Sequence, residues 1–256
     1  MYISLIYRKM GEYSRIPSLS GKEQVFMEYL KNDLSGLTEY EVESRHDCFA
    51  VNSKVGSKYT MLVHIDRIPV EPFQYTFGKI VKGQVDNVIG VAIMRHLFEQ
   101  GVNLNALFTT REEICDNFDQ LLAYTKEFPD QVLIDLDIDV SITLEEVTSG
   151  AVSVRKRDNL VPYSPVLVRY IEELCNRNKI DFINKDGHWL IVQVGMAMAK
   201  YKEMNRITDK DLTESRTYAA ILVPILNYHT NKEEASEKCV RNVVKLLTKL
   251  SEVKAV

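Results

Sequence analysis

Apolar positions recur at Val25, Phe26, Tyr29, Leu30 and Leu34, a spacing that predicts an amphipathic helix after the Pro17–Gly21 break that closes a first one. Alternating or wholly apolar runs then predict strands over "YEVESRHDCFAVNS", "YTMLVHI", "NALFTT" and "QVLIDLDI". Between them, "NVIGVAIMRHLFEQG" reads as a helix stopped by Gly101, and "FDQLLAYTKEF" as another. Later helices are predicted over "SPVLVRYIEELCNRN", "GHWLIVQVGMAMAKYKEMN" and "KEEASEKCVRNVVKLLTKL", with strands over "IDFIN" and "YAAILVPILN". Strands alternating with helices of this length predict an α/β sheet covered on both faces. No repeat, low-complexity tract or Gly/Ser linker divides the chain, so residues 1–256 are expected to form one domain.

Composition narrows the function. A formal net charge of -4 over 256 residues opposes a nucleic-acid binder, which carries a basic face. Cysteines at 48, 115, 175 and 239 have neither zinc-ribbon spacing nor disulfide-scaffold density, so four free thiols in a reducing compartment are expected. The apolar patch near the N-terminus is too short for a signal-peptide core or a membrane span, which predicts a cytoplasmic protein without membrane contact.

The anomaly is a set of buried strands that end in acids or histidines, since an unpaired charge in an apolar setting is costly. His64 and Asp66 share one strand face by period-two alternation. Asp86 stands at the entrance to an apolar helix, where an N-cap is its simplest role. Glu112 and Glu113 follow "NALFTTR" and are expected to diverge; Asp135, Asp137 and Asp139 alternate along one strand. His229 ends the last apolar strand, before a helix whose first turn is predicted to carry Glu233 and Glu234. Each of these places lies at the C-terminal end of a predicted strand, where α/β sheets build their sites. Imidazoles and carboxylates without thiolates suit catalytic zinc, manganese or cobalt. His46, His96 and His188 lack such partners; His96 is predicted to be exposed on its helix and His188, beside Trp189, to lie in a loop or pack. Met94, Met196 and Met198 read as core filler, and Phe73, Tyr75 and Phe77 as packing residues on an edge strand.

Taken in order, "IPSLSGKEQ", "HID", "GQVDNVIGVA", "TTREEI", "VLIDLD" and "NYHTNKE" resemble the co-catalytic dizinc aminopeptidases, in particular the glutamyl and deblocking types and their short single-domain relatives. The resemblance implies a three-layer α/β/α fold with a mixed, mostly parallel central sheet. It implies two divalent metal ions, zinc by preference, with His64 on one, His229 on the other and Asp86 bridging. Asp66 then orients His64, Glu112 is the general base and Glu113 a further ligand. The remaining ligand is Asp135 or Asp137: spacing from Glu113 favours Asp135, the closure of an apolar run favours Asp137, and the balance tips slightly to Asp135.

The implied reaction is release of an N-terminal amino acid from a peptide. The alternative is a deacylase acting on an N-acyl amino acid or a small acylated metabolite, with Arg111, Arg216 or Lys210 as carboxylate partners; a non-catalytic relative ranks below both. Homo-oligomerisation stays open. Asp66 and Asp86 are 20 positions apart (86 minus 66), and Asp137 and His229 are 92 apart (229 minus 137), which leaves no room for an inserted lid or assembly domain. The "GTDA"-like element of the glutamyl type is represented only by "ITDKDLTESRTYAA", which puts amine recognition and specificity in question.

Overall fold

Tyr59–His64 (β3) is apolar on both faces and wholly buried, the condition of a strand with helices above and below it. It lies inside a ten-stranded sheet in the computed structural model, which describes residues 2–45, 47–69, 75–140, 143–186 and 192–252. Before β3 come helices α1 (Tyr2–Tyr13) and α2 (Gln24–Ser35) and a hairpin of β1 (Tyr40–Arg45) and β2 (Cys48–Ser53). After it follow β4 (Ile80–Gly83), α3 (Val88–Glu99), β5 (Asn105–Thr109), α4 (Phe118–Glu127), β6 (Val132–Val140), α5 (Leu144–Ser149) and β7 (Val152–Arg157). The chain closes with α6 (Pro165–Arg177), β8 (Phe182–Asp186), α7 (Gln193–Asn205), α8 (Asp209–Ser215), β9 (Tyr218–Leu226), β10 (Glu233–Ser236) and α9 (Glu237–Ser251).

The sheet order is β1-β2-β5-β3-β6-β9-β10-β4, with β7 pairing β9 and β8. Strands β5, β3, β6 and β9 are mutually parallel; the flanks through β2, β10 and β4 are antiparallel. Helices α1, α3 and α9 pack together on one face, and α4 and α7 on the other, which gives the expected helix-covered mixed sheet. Helix α9 buries Val240, Val243, Leu246, Leu247 and Leu250 along one stripe. Each such side chain contributes roughly 1.5–3 kcal/mol by leaving water.

The main departure lies in "KEEAS". In place of a helix start, Glu233–Ser236 forms β10, inserted between β9 and β4. Tertiary contacts override helix propensity here: Glu233 and Ala235 are wholly buried, and Glu234 pairs with Lys82 across the strands at 2.7 Å. Helix α9 starts only after Ser236. His96 is buried, contrary to the exposed position predicted for it. "ITDKDLTESRTYAA" makes a surface helix, α8, closed by a capping box between Thr208 and Asp211. Helix α7 begins at Gln193; His46, Phe73, His188 and Trp189 lie outside the described residues. Tyr75 and Phe77 stack on each other, but they lie outside the strands, and Phe77 is exposed, so the packing role expected on an edge strand is only partly met. All four cysteines are free, and only Cys115 is exposed. No described helix is long and apolar enough to cross a membrane.

Candidate metal centre

The parallel strands deliver their C-terminal ends to one edge of the sheet. His64, the last residue of β3, places Nε2 3.1 Å from Asp86 Oδ1, 3.2 Å from Asp137 Oδ1 and 4.0 Å from Glu112 Oε2. Asp86 sits between β4 and α3, joined to Asn87 by a cis peptide bond. The helix cap expected of Asp86 is supplied by Asn87, whose side chain accepts the Gly90 N–H at 3.0 Å and donates to the Leu136 carbonyl at 2.8 Å. Asp86 is thereby left free to face the site. Its Oδ2 lies 3.9 Å from His229 Nε2, which is itself 3.0 Å from Glu113 Oε2. Glu112 and Glu113 do not diverge as expected: they lie in a turn, and both offer an oxygen to one group with His64, while Glu113 also reaches His229. The result is three overlapping groups that could hold a metal ion: His64, Asp86 and Asp137; His64, Glu112 and Glu113; Asp86, Glu113 and His229.

Of the two aspartates left open on β6, the fold brings Asp137 into this cluster and leaves Asp135 outside it. Register explains the reversal of the slight preference for Asp135. Leu62 of β3 pairs with Asp135, so Asp135 lies two residues, roughly 6.6 Å, behind the level of His64. Its carboxylate instead accepts hydrogen bonds from the Gln193 side chain at 3.0 Å and the Val194 N–H at 2.9 Å, at the start of α7. Asp139, further along β6, pairs with Arg155 and accepts from Ser153.

Asp66 does more than stand beside a histidine. Its Oδ1 is 3.3 Å from His64 Nδ1 and accepts the Glu112 N–H at 3.1 Å; its Oδ2 accepts from Glu113 N–H at 3.0 Å and Ser20 Oγ at 2.7 Å. The same carboxylate therefore fixes an imidazole ring and the backbone of both acids. Glu23 extends the support, accepting the N–H of Arg111 at 3.0 Å where the backbone turns through a left-handed φ of 60°.

Burial and crowding set the charges. Burial opposes protonation of His64, but Asp137 and Glu112 outweigh it and hold the imidazolium pKa well above its ordinary value. For His229 the opposition of burial is overcome by the Glu113 hydrogen bond. Burial pushes Asp86 up to about 7 against the hydrogen bond from His64. Glu112 is held well above the ordinary carboxylate range by burial, with Asp137, Asp86 and Glu113 adding to it. Asp66 stays low despite burial because the His64 ring lies beside it and Ser20 donates to it.

Two contributors are not assigned to the site by residue patterning. Gln193 joins Thr109, Asn117 and Asp135 in a buried network beneath the site. Glu233 accepts backbone N–H groups from both the Asp86 and the His229 segments; its signal, an acid four residues after a histidine, was absorbed into a helix start. Arg111, Arg216 and Lys210 pair elsewhere: with Asp47 and Asp116, with the Pro129 carbonyl and Tyr201, and with Glu214.

Solved structures share this arrangement of elements across nearly the whole chain. A TET aminopeptidase from a marine sediment thaumarchaeote superposes with a TM-score of 0.76 at 12% identity, covering 96% of this chain and 95% of that one. The chain has the TET aminopeptidase fold. An aminopeptidase from the archaeon Desulfurococcus kamchatkensis gives 0.73 at 11% identity over 98% and 94% of the two chains. The TET1 peptidase of Pyrococcus horikoshii, which can assemble into a tetrahedron or a large octahedral shell, gives 0.71 at 14% identity over 96% and 99%. At these identities the likeness is one of fold. No family model and no curated protein sequence matches the chain.

Proposed function

We propose that the chain is a metal-dependent hydrolase of the aminopeptidase type, releasing the N-terminal amino acid of a peptide at a site for two divalent cations. The observation that carries this reading is the position of Asp86, whose two oxygens face two different histidine and carboxylate groups. His64, Asp86 and Asp137 would hold one ion, and Asp86, Glu113 and His229 the other. The donors fit: they are imidazole nitrogens and carboxylate oxygens, suited to zinc and also to manganese or cobalt. Glu113 Oε1 is buried with no hydrogen-bond partner, and among the described residues no Lys or Arg pairs with Asp86, Glu112, Glu113 or Asp137. A buried acid cluster of this kind calls for cations.

When bound, two such cations supply Lewis acidity, polarising a scissile carbonyl and acidifying a water. In this reading Glu112 takes the proton of the attacking water and passes it to the leaving amine. Asp66 keeps Glu112 and the His64 ring in a fixed relation throughout. His229, with 37% of its side chain exposed, marks the open side through which a peptide end would enter.

Elemental analysis of native protein and of the His64→Ala and Asp86→Ala variants tests the metal pair: two ions per chain in the native protein and a clear loss in both variants are expected. Native protein unable to take up zinc, manganese or cobalt would sink the hydrolase reading. Amino acid p-nitroanilides run against N-acyl amino acids then test the substrate, and turnover of blocked substrates alone would exclude an aminopeptidase.

A further inference from the structure

Glu233 lies on β10, between the strands that precede Asp86 and His229, and its side chain is wholly buried. Its Oε2 accepts the N–H groups of Val85 at 2.6 Å and Asp86 at 3.1 Å; its Oε1 accepts the N–H of His229 at 2.9 Å. One carboxylate thus joins the backbones of two chain segments whose preceding strands both pair with β10. The connection bears on His229 in particular. Its ring, partly exposed, stacks on Tyr228 with centroids 3.6 Å apart and reaches Glu113, but its backbone has a φ of 57°, a left-handed conformation that a residue with a β-carbon keeps only when held. Within the turn, Asn227 donates to the Lys232 carbonyl at 3.0 Å and Thr230 to the Asn227 carbonyl at 2.6 Å, while Tyr228 packs against the core.

We infer that Glu233 is a positioning residue that sets the separation of Asp86 and His229, and with it the second cation position. This rests on the two-cation reading of the site. The gap between Asp86 Oδ2 and His229 Nε2, 3.9 Å, is spanned on the backbone side by the two oxygens of Glu233. A carboxylate can accept at both ends. Glutamine cannot, because its NH2 group turns a donor towards an N–H and releases either the Asp86 or the His229 segment.

Cobalt(II) titration followed by visible absorption, with chelator competition for affinity, tests this on the full chain, native and carrying Glu233→Gln, Glu233→Ala or Glu234→Gln. In both Glu233 variants the second equivalent of cobalt is expected to bind about 10- to 100-fold more weakly than in the native protein. The first equivalent should change less, and Glu234→Gln, whose partner is the surface residue Lys82, should match the native protein. A purely structural role lowers the melting temperature of metal-free Glu233→Gln and leaves the second affinity unchanged; that outcome overturns the inference. Glu233→Gln preserves size and shape, so it decides the matter even where the alanine variant fails to fold. Native protein that binds fewer than two cobalt ions contradicts the two-cation reading itself, a separate result.

Discussion

Three aspartates at alternate positions of β6 meet three different fates. Asp135 bonds to the start of α7, Asp137 faces His64, and Asp139 pairs with Arg155. Alternation alone made them equivalent, and only the pairing of Leu62 with Asp135 distinguishes them. Asp137→Asn is therefore expected to lose bound metal, whereas Asp135→Asn, which keeps an acceptor oxygen for Val194, should retain two ions; elemental analysis of the two variants side by side decides this. Glu112 makes the sharper test of chemistry. Its side chain lies close to the donors without being needed by the two triads that share Asp86. Glu112→Gln should lower kcat by about 10²- to 10⁴-fold, the usual contribution of a general base, with metal content unchanged. Loss of metal together with activity would make Glu112 a ligand and leave the base unassigned.

At the scale of elements, the strongly periodic segments are legible: the β3, β6 and β9 runs and helices α3 and α6 appear where hydrophobic spacing places them, and α9 does so from Glu237 onward. What escaped were short elements fixed by distant contacts. Strand β10 exists because Glu233 and Ala235 find a buried slot between β9 and β4, information absent from the run "KEEAS" itself. The link between β7 and α7 is of the same kind. Asp158 accepts the N–H groups of Leu160 at 2.7 Å and Val161 at 2.8 Å, while its Oδ2 is buried without a hydrogen-bond partner against Gly195 in the first turn of α7. Burial raises its pKa from 3.8 to about 6. Because the folded value lies above the unfolded one, the folded chain keeps a proton that the unfolded chain has lost between these values. Stability from this group is complete below pH 3.8 and falls as pH rises through about 6. Asp158→Asn removes the dependence. Urea denaturation of native and variant protein at pH 4.5 and 8 should show the variant gaining on the native chain by about 2 kcal/mol between the two conditions. A gap independent of pH would mean that Asp158 titrates in the fold as it does in the unfolded chain, and that burial does not hold its proton.

At the scale of the molecule, the order of the short motifs along the chain was a better guide than overall similarity, since structures of the same fold share only 11 to 14% of their residues with it. The C-terminal edge of a parallel sheet can be set by a few strand-end residues, while the core tolerates any well-packed apolar side chains. That division has a thermodynamic consequence. The core folds around an acid cluster in which Asp86 and Glu112 are both pushed towards the protonated form by burial. On the two-cation proposal, cations that bind only the folded chain would relieve this and add about 2.7 kcal/mol per site at a free concentration 100 times the dissociation constant. For a chain of this size each kcal/mol moves the melting temperature by about 2–4 °C. Chelator treatment is thus expected to lower the melting temperature by roughly 5 to 10 °C for each ion removed, and zinc to restore it. Asp86→Asn, which removes the carboxylate common to both groups, should melt at nearly the same temperature with and without zinc. A native chain whose melting temperature ignores both chelator and zinc would show that the cluster is satisfied by protons alone, and the proposed chemistry would have no cation to work with.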